Sequence, residues 1–488
     1  MKRIVFLSAI IGICILTLCS LTSGVFFVTQ SFAQSPTVPT VFLPLVETSP
    51  LAPSESTRVQ PSDFRYLGAF RLPDDADRPR TFEYGGNAIT FNPNGDSTGA
   101  ADGFPGSLFI TGHDRLPYGE LPDGDQVAEI SIPAPINSRD LNQLNQASFI
   151  QNFRNVASGY FSGLDEIPRV GMAYLNVPAT GPKIHLAWGQ HLQEESDASH
   201  AWFEPNLNAP NVRGTWFIGN QSAYSVNGYL FDIPIDWANQ HVGGRYLATG
   251  RFKDGGWSGM GPALFAYRPW VDDQGLPAPS GTHLQEVPLL LYEKSSNTDN
   301  IEHTLTGYQH PDEWEGGVWI TTRTGKSAVV FAGTKSTGEK YWYGYVNPLG
   351  AQLPCVDQAF VGEFPVCRLA NGAQCPPSDL NECAGHTSNR GWWSTRMDAQ
   401  FILYDPTDLA RVATGQMQTW EPQPYASLDL DNHLYLNPSN IETEMIGTGA
   451  QRRYRIGDVA FDRTNGLLYV LELFADGAKP VVHVWRIE

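Results

Sequence analysis

Apolar and aromatic residues along this chain occur in short runs that polar turn residues separate. Three such runs stand together near the C-terminus, and they begin at Asp458 (DVAFD), Leu467 (LLYVLEL) and Val481 (VVHVWRI). The turn Arg463-Thr-Asn-Gly joins the first two, and Asn-Gly readily adopts the positive φ angles of a tight hairpin. This pattern predicts three antiparallel strands joined by turns.

The same pattern recurs elsewhere, and no convincing amphipathic helix separates the units. A second meander begins at Asn87, Ser107 and Gln126, and a further triplet begins at Gly317, Ser327 and Tyr341. Single runs that stop at a proline begin at Gly228, Ala263 and Gln400. Recurrent meanders over residues 64–488 predict an all-β protein, and we interpret them as the blades of one β-propeller.

Six blades are favoured, with five or seven as alternatives, because the repeats are degenerate. A strand-like run, Tyr66-Leu-Gly-Ala-Phe-Arg-Leu-Pro, precedes the first full unit. We expect this N-terminal strand to complete the last blade and close the ring, which removes exposed sheet edges. A pair of double-sheet sandwiches is the structural rival, and it explains the repeated three-strand pattern less well.

The N-terminal segment has the features of an export signal. Lys2 and Arg3 precede an apolar run, and Ser31-Phe-Ala supplies small residues where a signal peptidase cleaves. The sequence predicts a signal peptide over 1–33, a Pro/Ser/Thr-rich linker over 34–60 and no membrane span after cleavage. The apolar run is long, so an uncleaved anchor is the alternative. We expect a secreted protein, extracellular or at the cell surface.

Four cysteines outside the signal segment lie close together. They are Cys355, Cys367, Cys375 and Cys383. In an oxidising compartment this clustering predicts two disulfides that pin an insert at 355–383, with three pairings open. A zinc site is the competing interpretation, although the short C-x2-C pairs usual for structural zinc are missing.

The charge balance excludes one class of partner. Acidic residues outnumber basic ones 51 to 32, and the formal net charge is −19. Duplex-binding proteins neutralise phosphates with Lys and Arg, so nucleic acid is not an expected partner. An acidic surface favours solubility, and it also suits calcium or cationic ligands. No feature indicates an oligomer, and a monomer is the default.

Carboxylates at the heads of strands are the candidate catalytic groups. Glu83, Asp254 and Glu315 enter strands through glycine pairs, and Asp458 begins the last meander. In a propeller the innermost strands surround the axis, so these acids would converge at one end of the channel. Converging carboxylates serve as general acid and base, or as ligands for calcium. The alternative is that they cap turns by accepting backbone N–H bonds.

Aromatic and cationic residues are the candidate substrate-binding groups. Trp257 and Trp314 could stack on sugar rings, and Arg396 could hold a carboxylate. The structural alternative is that tryptophans fill the gaps between blades. The chain contains no P-loop, which argues against nucleotide chemistry.

The first and last meanders resemble blades of secreted bacterial propellers of the YVTN and SMP-30/lactonase-like kind. The resemblance extends over most of 64–488 as a blade pattern, without a shared motif, and it implies the propeller fold rather than one activity. Our expectation is an extracellular hydrolase or lyase that acts on a carbohydrate or lactone at the channel mouth. The alternative is a non-catalytic propeller that binds an extracellular glycan or a protein.

Overall fold

A computed structural model describes most of the chain from residue 57 onward. The described residues are 57–74, 80–96, 99–112, 126–157, 159–160, 169–189, 195–251, 259–268, 278–294, 303–309, 311–338, 340–342, 355–361, 364–369 and 392–488. The predicted signal peptide lies outside this part of the chain, as does the linker up to residue 56.

Most of the described strands form five mainly antiparallel sheets around one axis, which confirms the β-propeller. Blade 1 consists of β2 (Ile89–Asn92), β3 (Ser107–Thr111), β4 (Gln126–Ser131) and β5 (Phe149–Asn155). Blade 2 consists of β6 (Arg169–Val177), β7 (Gly181–Gly189), β8 (His200–Phe203) and β9 (Arg213–Ile218), and β13 (His283–Leu284) adds to its outer edge in parallel. Blade 3 consists of β10 (Tyr229–Asp232), β11 (Leu247–Gly250), β12 (Ala263–Tyr267) and β14 (Glu286–Leu291).

The last two blades complete the ring. Blade 4 consists of β15 (Glu313–Thr321), β16 (Ser327–Ser336), β21 (Met397–Tyr404) and β22 (Ala426–Asp429). Blade 5 consists of β23 (Ile456–Asp462), β24 (Leu467–Asp476), β25 (Lys479–Ile487) and β1 (Phe64–Arg71). The innermost strands β2, β6, β10, β15 and β23 contact one another in that order, and β23 contacts β2 again. We call the end where these strands begin the entrance end, and the opposite end the exit end.

The N-terminal strand closes the ring, as predicted. In β1, Phe64 lies opposite Ile487 and Arg71 lies opposite Val481, with a register shift between Tyr66 and Gly68. The first strand of the domain therefore becomes the outer strand of the last blade. This pairing joins the first and last strands of the propeller in one sheet and covers the edge of β25.

The favoured count of six blades was wrong, and the structure has five, the smaller alternative. The triplet beginning at Gly317, Ser327 and Tyr341 does not form one sheet. Its first two runs are β15 and β16, but the run at Tyr341 belongs to β17 (Lys340–Trp342), which pairs with β20 (Trp392–Ser394). The third strand of blade 4 comes only after residue 396, so one blade is divided by an insertion.

That insertion leaves blade 4 at the entrance end. Within it, β18 (Cys355–Val361) pairs with β19 (Phe364–Leu369), and Cys367 lies opposite Gln358. The side chains of Cys355 and Cys367, and all of Cys375 and Cys383, lie outside the described residues. The disulfides therefore stay a prediction.

One hydrophobic cluster occupies each interface between neighbouring blades. Phe109 of blade 1 and Met172 of blade 2 share a cluster, and Phe231 of blade 3 packs with Trp319 of blade 4. Equivalent clusters join blades 2 and 3, 4 and 5, and 5 and 1. Apolar burial therefore lies between the sheets, so each blade depends on its neighbours for its core.

Helices are short and lie in the connections. The α-helices are Ala223–Val226, Ile235–His241, Pro406–Ala413 and Thr443–Ile446, and the 3-10 helices are Pro61–Asp63, Gly99–Ala101, Leu141–Gln143, Asp431–His433 and Gly449–Gln451. Within the part of the chain that the structure describes, none is long and apolar enough to cross a membrane.

Candidate functional site

Two of the predicted carboxylates meet at the entrance end of the axis. Glu315 lies near the start of β15 and Asp458 near the start of β23, and these innermost strands are neighbours in the ring. Both residues are 0% exposed. The structure thus brings together side chains that are 143 positions apart in the sequence, as the numbers 315 and 458 show.

Each carboxylate lies at an irregularity in its strand. Trp314 pairs with Gly333 and Gly316 with the next residue, Ala332, so Glu315 is an extra residue in β15. In β23 the register shifts between Ile456 and Val459, and Asp458 lies within that shift. Such bulges redirect side chains and are frequent beside functional sites. Both irregularities lie near the strand starts, at the entrance end of the axis.

A glycine allows the two strands to approach. A Cβ added at Gly316 would lie 2.3 Å from Oδ1 of Asp458 and 2.8 Å from the backbone N of Val459. No residue larger than glycine fits there without moving the backbone. The glycine that follows Glu315 therefore has a packing role at the close approach of β15 and β23.

Backbone N–H groups hold the carboxyl group of Asp458. The N–H of Ile89 on β2 donates to Oδ2 over 3.1 Å, and the N–H of Val459 donates to Oδ1 over 2.8 Å. Burial raises the pKa of Asp458 well above its usual value, the two N–H donors oppose this rise, and the charge of Glu315 adds to it. A carboxyl group with a raised pKa beside a second carboxyl group is an arrangement suited to proton donation.

The other two candidate acids are Glu83 and Asp254, and the structure describes only Glu83. Glu83 lies half-buried in the loop before β2, and its backbone N–H donates to Oγ1 of Thr81 over 3.2 Å. The same loop approaches β23, because a Cβ on Gly457 would lie 2.3 Å from the carbonyl oxygen of Gly86. Asp254 lies outside the described residues.

The two candidate substrate-binding residues that the structure describes have different environments. Trp314 is 2% exposed and belongs to the hydrophobic cluster between blades 3 and 4, a position that matches the gap-filling alternative. Arg396 is exposed, and its Nε donates to both carboxylate oxygens of Asp398 over 2.8 and 3.1 Å. Trp257 lies outside the described residues.

Two further charged residues are buried near the entrance end. Glu313 lies two positions before Glu315 and is buried, and Arg251 at the end of β11 is buried as well. The Nε of Arg251 donates to the carbonyl oxygen of Gly261 over 2.8 Å. A sequence signal for Glu313 existed in the alternation Glu-Trp-Glu, whereas nothing local to Arg251 indicates burial.

Among the described residues, an open cavity lies toward the exit end of the channel. A cavity of about 150 Å³ is lined by residues from all five innermost strands, and its lining includes Ile89 and Val459. These residues supply the two N–H groups that bind Asp458. The Asp458 carboxyl therefore lies just behind the wall of the cavity, while the described part of the entrance end covers it.

Within the described residues, no group of three or more His, Cys, Asp or Glu side chains is arranged to hold a metal ion. Calcium therefore has no complete ligand set in the described part of the site. Because Asp254 lies outside that part, the calcium hypothesis stays a prediction.

No protein-family model matches the chain, and no curated protein sequence matches it. Among solved structures, a chain of a humanized mutant of the Chaetomium thermophilum Polycomb Repressive Complex 2 is similar over 87% of this chain and 97% of its own, with 9% identity and a TM-score of 0.29. The PQQ domain of pyranose dehydrogenase from Coprinopsis cinerea is similar over 86% of this chain and 100% of its own, with 11% identity and a TM-score of 0.32.

Proposed function

We propose that this protein is an extracellular hydrolase or lyase that acts on a carbohydrate or lactone at the entrance end of the propeller axis. The observation that carries the proposal is the meeting of Glu315 and Asp458 on strand irregularities of neighbouring innermost strands. Extracellular action is supported by the export features of residues 1–33. The blade pattern and the closing N-terminal strand support membership in the YVTN and SMP-30/lactonase-like group.

The two carboxyl groups have different electrostatic environments, which suits a division of roles. Asp458, whose pKa is raised by burial, would donate a proton to the leaving oxygen of a glycoside or lactone. Glu315 would act as the second carboxylate, either activating water or attacking directly. Glu83 and Asp254 would supply further acid/base or calcium-binding groups, and Trp257 and Arg396 would position substrate.

A non-catalytic binding propeller is the second candidate, and one observation favours it. Both carboxyl groups are fully buried, so the described surface offers a substrate no direct access to them. In that case the pair would set the spacing of β15 and β23. Recognition of a glycan or protein would fall to the entrance loops, including the insert at 355–383.

Activity assays on isosteric variants separate the two candidates. The full chain, expressed with export, would be screened against plant and bacterial polysaccharides, aryl glycosides and lactones. If the proposal is correct, Glu315→Gln and Asp458→Asn each lower turnover by about 100-fold or more. Glu129→Gln is the matched control, because Glu129 is a buried carboxyl of blade 1 bound by Asn92, Ser107 and Gln151.

Two outcomes would contradict catalysis at this site. Turnover that persists in both Glu315→Gln and Asp458→Asn would place the chemistry elsewhere. Absence of turnover on the whole panel, together with glycan-array binding that both variants retain, would support the binding propeller.

A further inference from the structure

The exit end of the axis carries a second concave surface. Three cavities of about 150, 440 and 810 Å³ open there, and Arg463 lines all of them. Arg463 lies in the Asn-Gly turn between β23 and β24, which the sequence identified only as a turn. The largest cavity falls within the roughly 300–1,000 Å³ range of small-molecule sites.

Arg463 crosses from blade 5 to two other blades. Its Nη2 donates to Oδ2 of Asp232 at the end of β10 over 2.6 Å, and its Nη1 donates to the carbonyl oxygen of Trp319 on β15 over 2.6 Å. The Arg463 side chain is 29% exposed and that of Asp232 is 41% exposed. The pair is therefore fixed by the fold and still accessible to a ligand.

Aromatic side chains adjoin this ion pair. Trp237 and Tyr174 line the 810 Å³ cavity together with Asp232 and Arg463. The ring of Trp237 packs on Trp319 with centroids 4.5 Å apart, and it is only partly buried. The ring also packs against His241, with centroids 4.9 Å apart, and its exposed part lies beside a fixed acceptor and a fixed donor.

We propose that this exit-end surface, made by Asp232, Arg463, Trp237 and Tyr174, binds a neutral sugar. A carboxylate accepts and a guanidinium donates hydrogen bonds to hydroxyl groups, while an aromatic face packs on the apolar face of a sugar ring. Asp232 and Asp236 outnumber Arg463 in the lining, so the local charge disfavours anions such as uronates or phosphates. This inference goes beyond the proposed function, because the surface lies at the opposite end of the axis from Glu315 and Asp458.

A binding titration on the full-length protein tests this proposal. Glucose, galactose, mannose and xylose, with their linear oligomers, would be titrated by tryptophan fluorescence and by saturation-transfer NMR, with glucuronate as the anionic comparison. We expect binding of at least one neutral sugar and weaker binding of glucuronate. Asp232→Asn and Trp237→Phe should each weaken binding about tenfold or more.

The matched control is Asp476→Asn, which removes an ion-pair partner of Arg71 in blade 5, away from the exit-end cavities. It should bind as the unaltered protein does, and circular dichroism would confirm that each variant is folded. No binding of any neutral sugar, preference for glucuronate, or unchanged binding in Asp232→Asn and Trp237→Phe would each overturn the proposal. Glu315→Gln and Asp458→Asn should leave exit-end binding unchanged, so failure here and failure of the catalytic proposal are distinguishable.

Discussion

Nε2 of His483 lies 2.8 Å from Oε2 of Glu472, and both side chains are completely buried in the closing blade. Nδ1 of the same imidazole is hydrogen-bonded with the hydroxyl of Tyr66 at 2.9 Å. The backbone N–H groups of Tyr435 and Leu436 donate to the Glu472 carboxylate over 2.9 and 2.6 Å. A continuous polar chain therefore crosses β24, β25 and β1, the three strands through which the ring closes.

Removing Glu472 should destabilise the closed ring strongly. Glu472→Leu leaves His483 and two backbone N–H groups buried without their acceptor, and we expect a loss of about 3–5 kcal/mol. Thermal unfolding measures this change. Glu488→Gln, which removes an exposed partner of Arg65, should stay within about 0.5 kcal/mol of the unaltered protein. A similar melting temperature for both variants would contradict a closing role for the pair.

Asp458 should make stability depend on pH with a definite sign. Because its folded-state pKa is raised, the unfolded chain releases this proton first, so the contribution of Asp458 is greatest at low pH. This stabilising contribution is lost as the pH rises from about 4, the usual aspartate pKa, toward the raised pKa of the folded state. The loss is at most about 1.4 kcal/mol per pH unit. The difference in melting temperature between Asp458→Asn and the unaltered protein should therefore shift in favour of the variant between pH 4 and 8.

Thr334→Val is the control for that series. Thr334 is buried near the entrance end of blade 4, and its side chain does not titrate. The change in melting temperature caused by Thr334→Val should therefore be the same at each pH. A constant difference for Asp458→Asn across the series would show that Asp458 does not have a raised pKa.

Gly316→Ala should separate β15 from β23. The added methyl group would meet the backbone of Asp458 and Val459, and such overpacking costs about 1–3 kcal/mol. Gly281→Ala is the contrasting case, because its Cβ meets nothing within 4 Å and only its φ of +82° is strained. We expect Gly316→Ala, and not Gly281→Ala, to change catalytic activity as well as the melting temperature. Equal activity in the two variants would contradict a positioning role for this close approach.

Calcium binding is tested by melting the protein with calcium, with magnesium and with EDTA. Calcium at a concentration of 100 times the Kd of the site would raise the free energy of unfolding by about 2.7 kcal/mol. If Asp254 supplies a ligand, Asp254→Asn should abolish the calcium-dependent rise, while Asp476→Asn should retain it. No difference between calcium and EDTA would remove calcium from the proposed function.

Export is tested by the N-terminus of the secreted protein. Cleavage after Ala33 would produce a chain that begins at Gln34, and mass spectrometry of the medium would detect it. Replacing Lys2 and Arg3 by acidic residues should reduce secretion, while replacing Lys335 in blade 4 should not change the cleavage site. A full-length chain retained in the membrane fraction would instead indicate the uncleaved anchor.

The strands themselves were predictable from local pattern. Alternating apolar residues and the Asn-Gly turn after Asp462 identified β23, β24 and β25, because side-chain alternation and turn chemistry depend on near neighbours. The run at Tyr66 was identified as the closing strand because it stands alone before the first meander. The acids that begin β15 and β23 were also visible, because glycines next to them mark crowded strand ends.

Tertiary structure alone decided how many blades these strands form and which side chains meet. The run at Tyr341 has the pattern of a blade strand, but it pairs with β20, because the third strand of blade 4 follows a long insertion. Glu315 lies near Asp458 because β15 and β23 are neighbours in the ring, and each acid lies at a register irregularity near the start of its strand. Asp232 and Arg463, which are also far apart in the sequence, pair across the exit end. Pairings between distant segments depend on ring closure, which local sequence pattern does not encode.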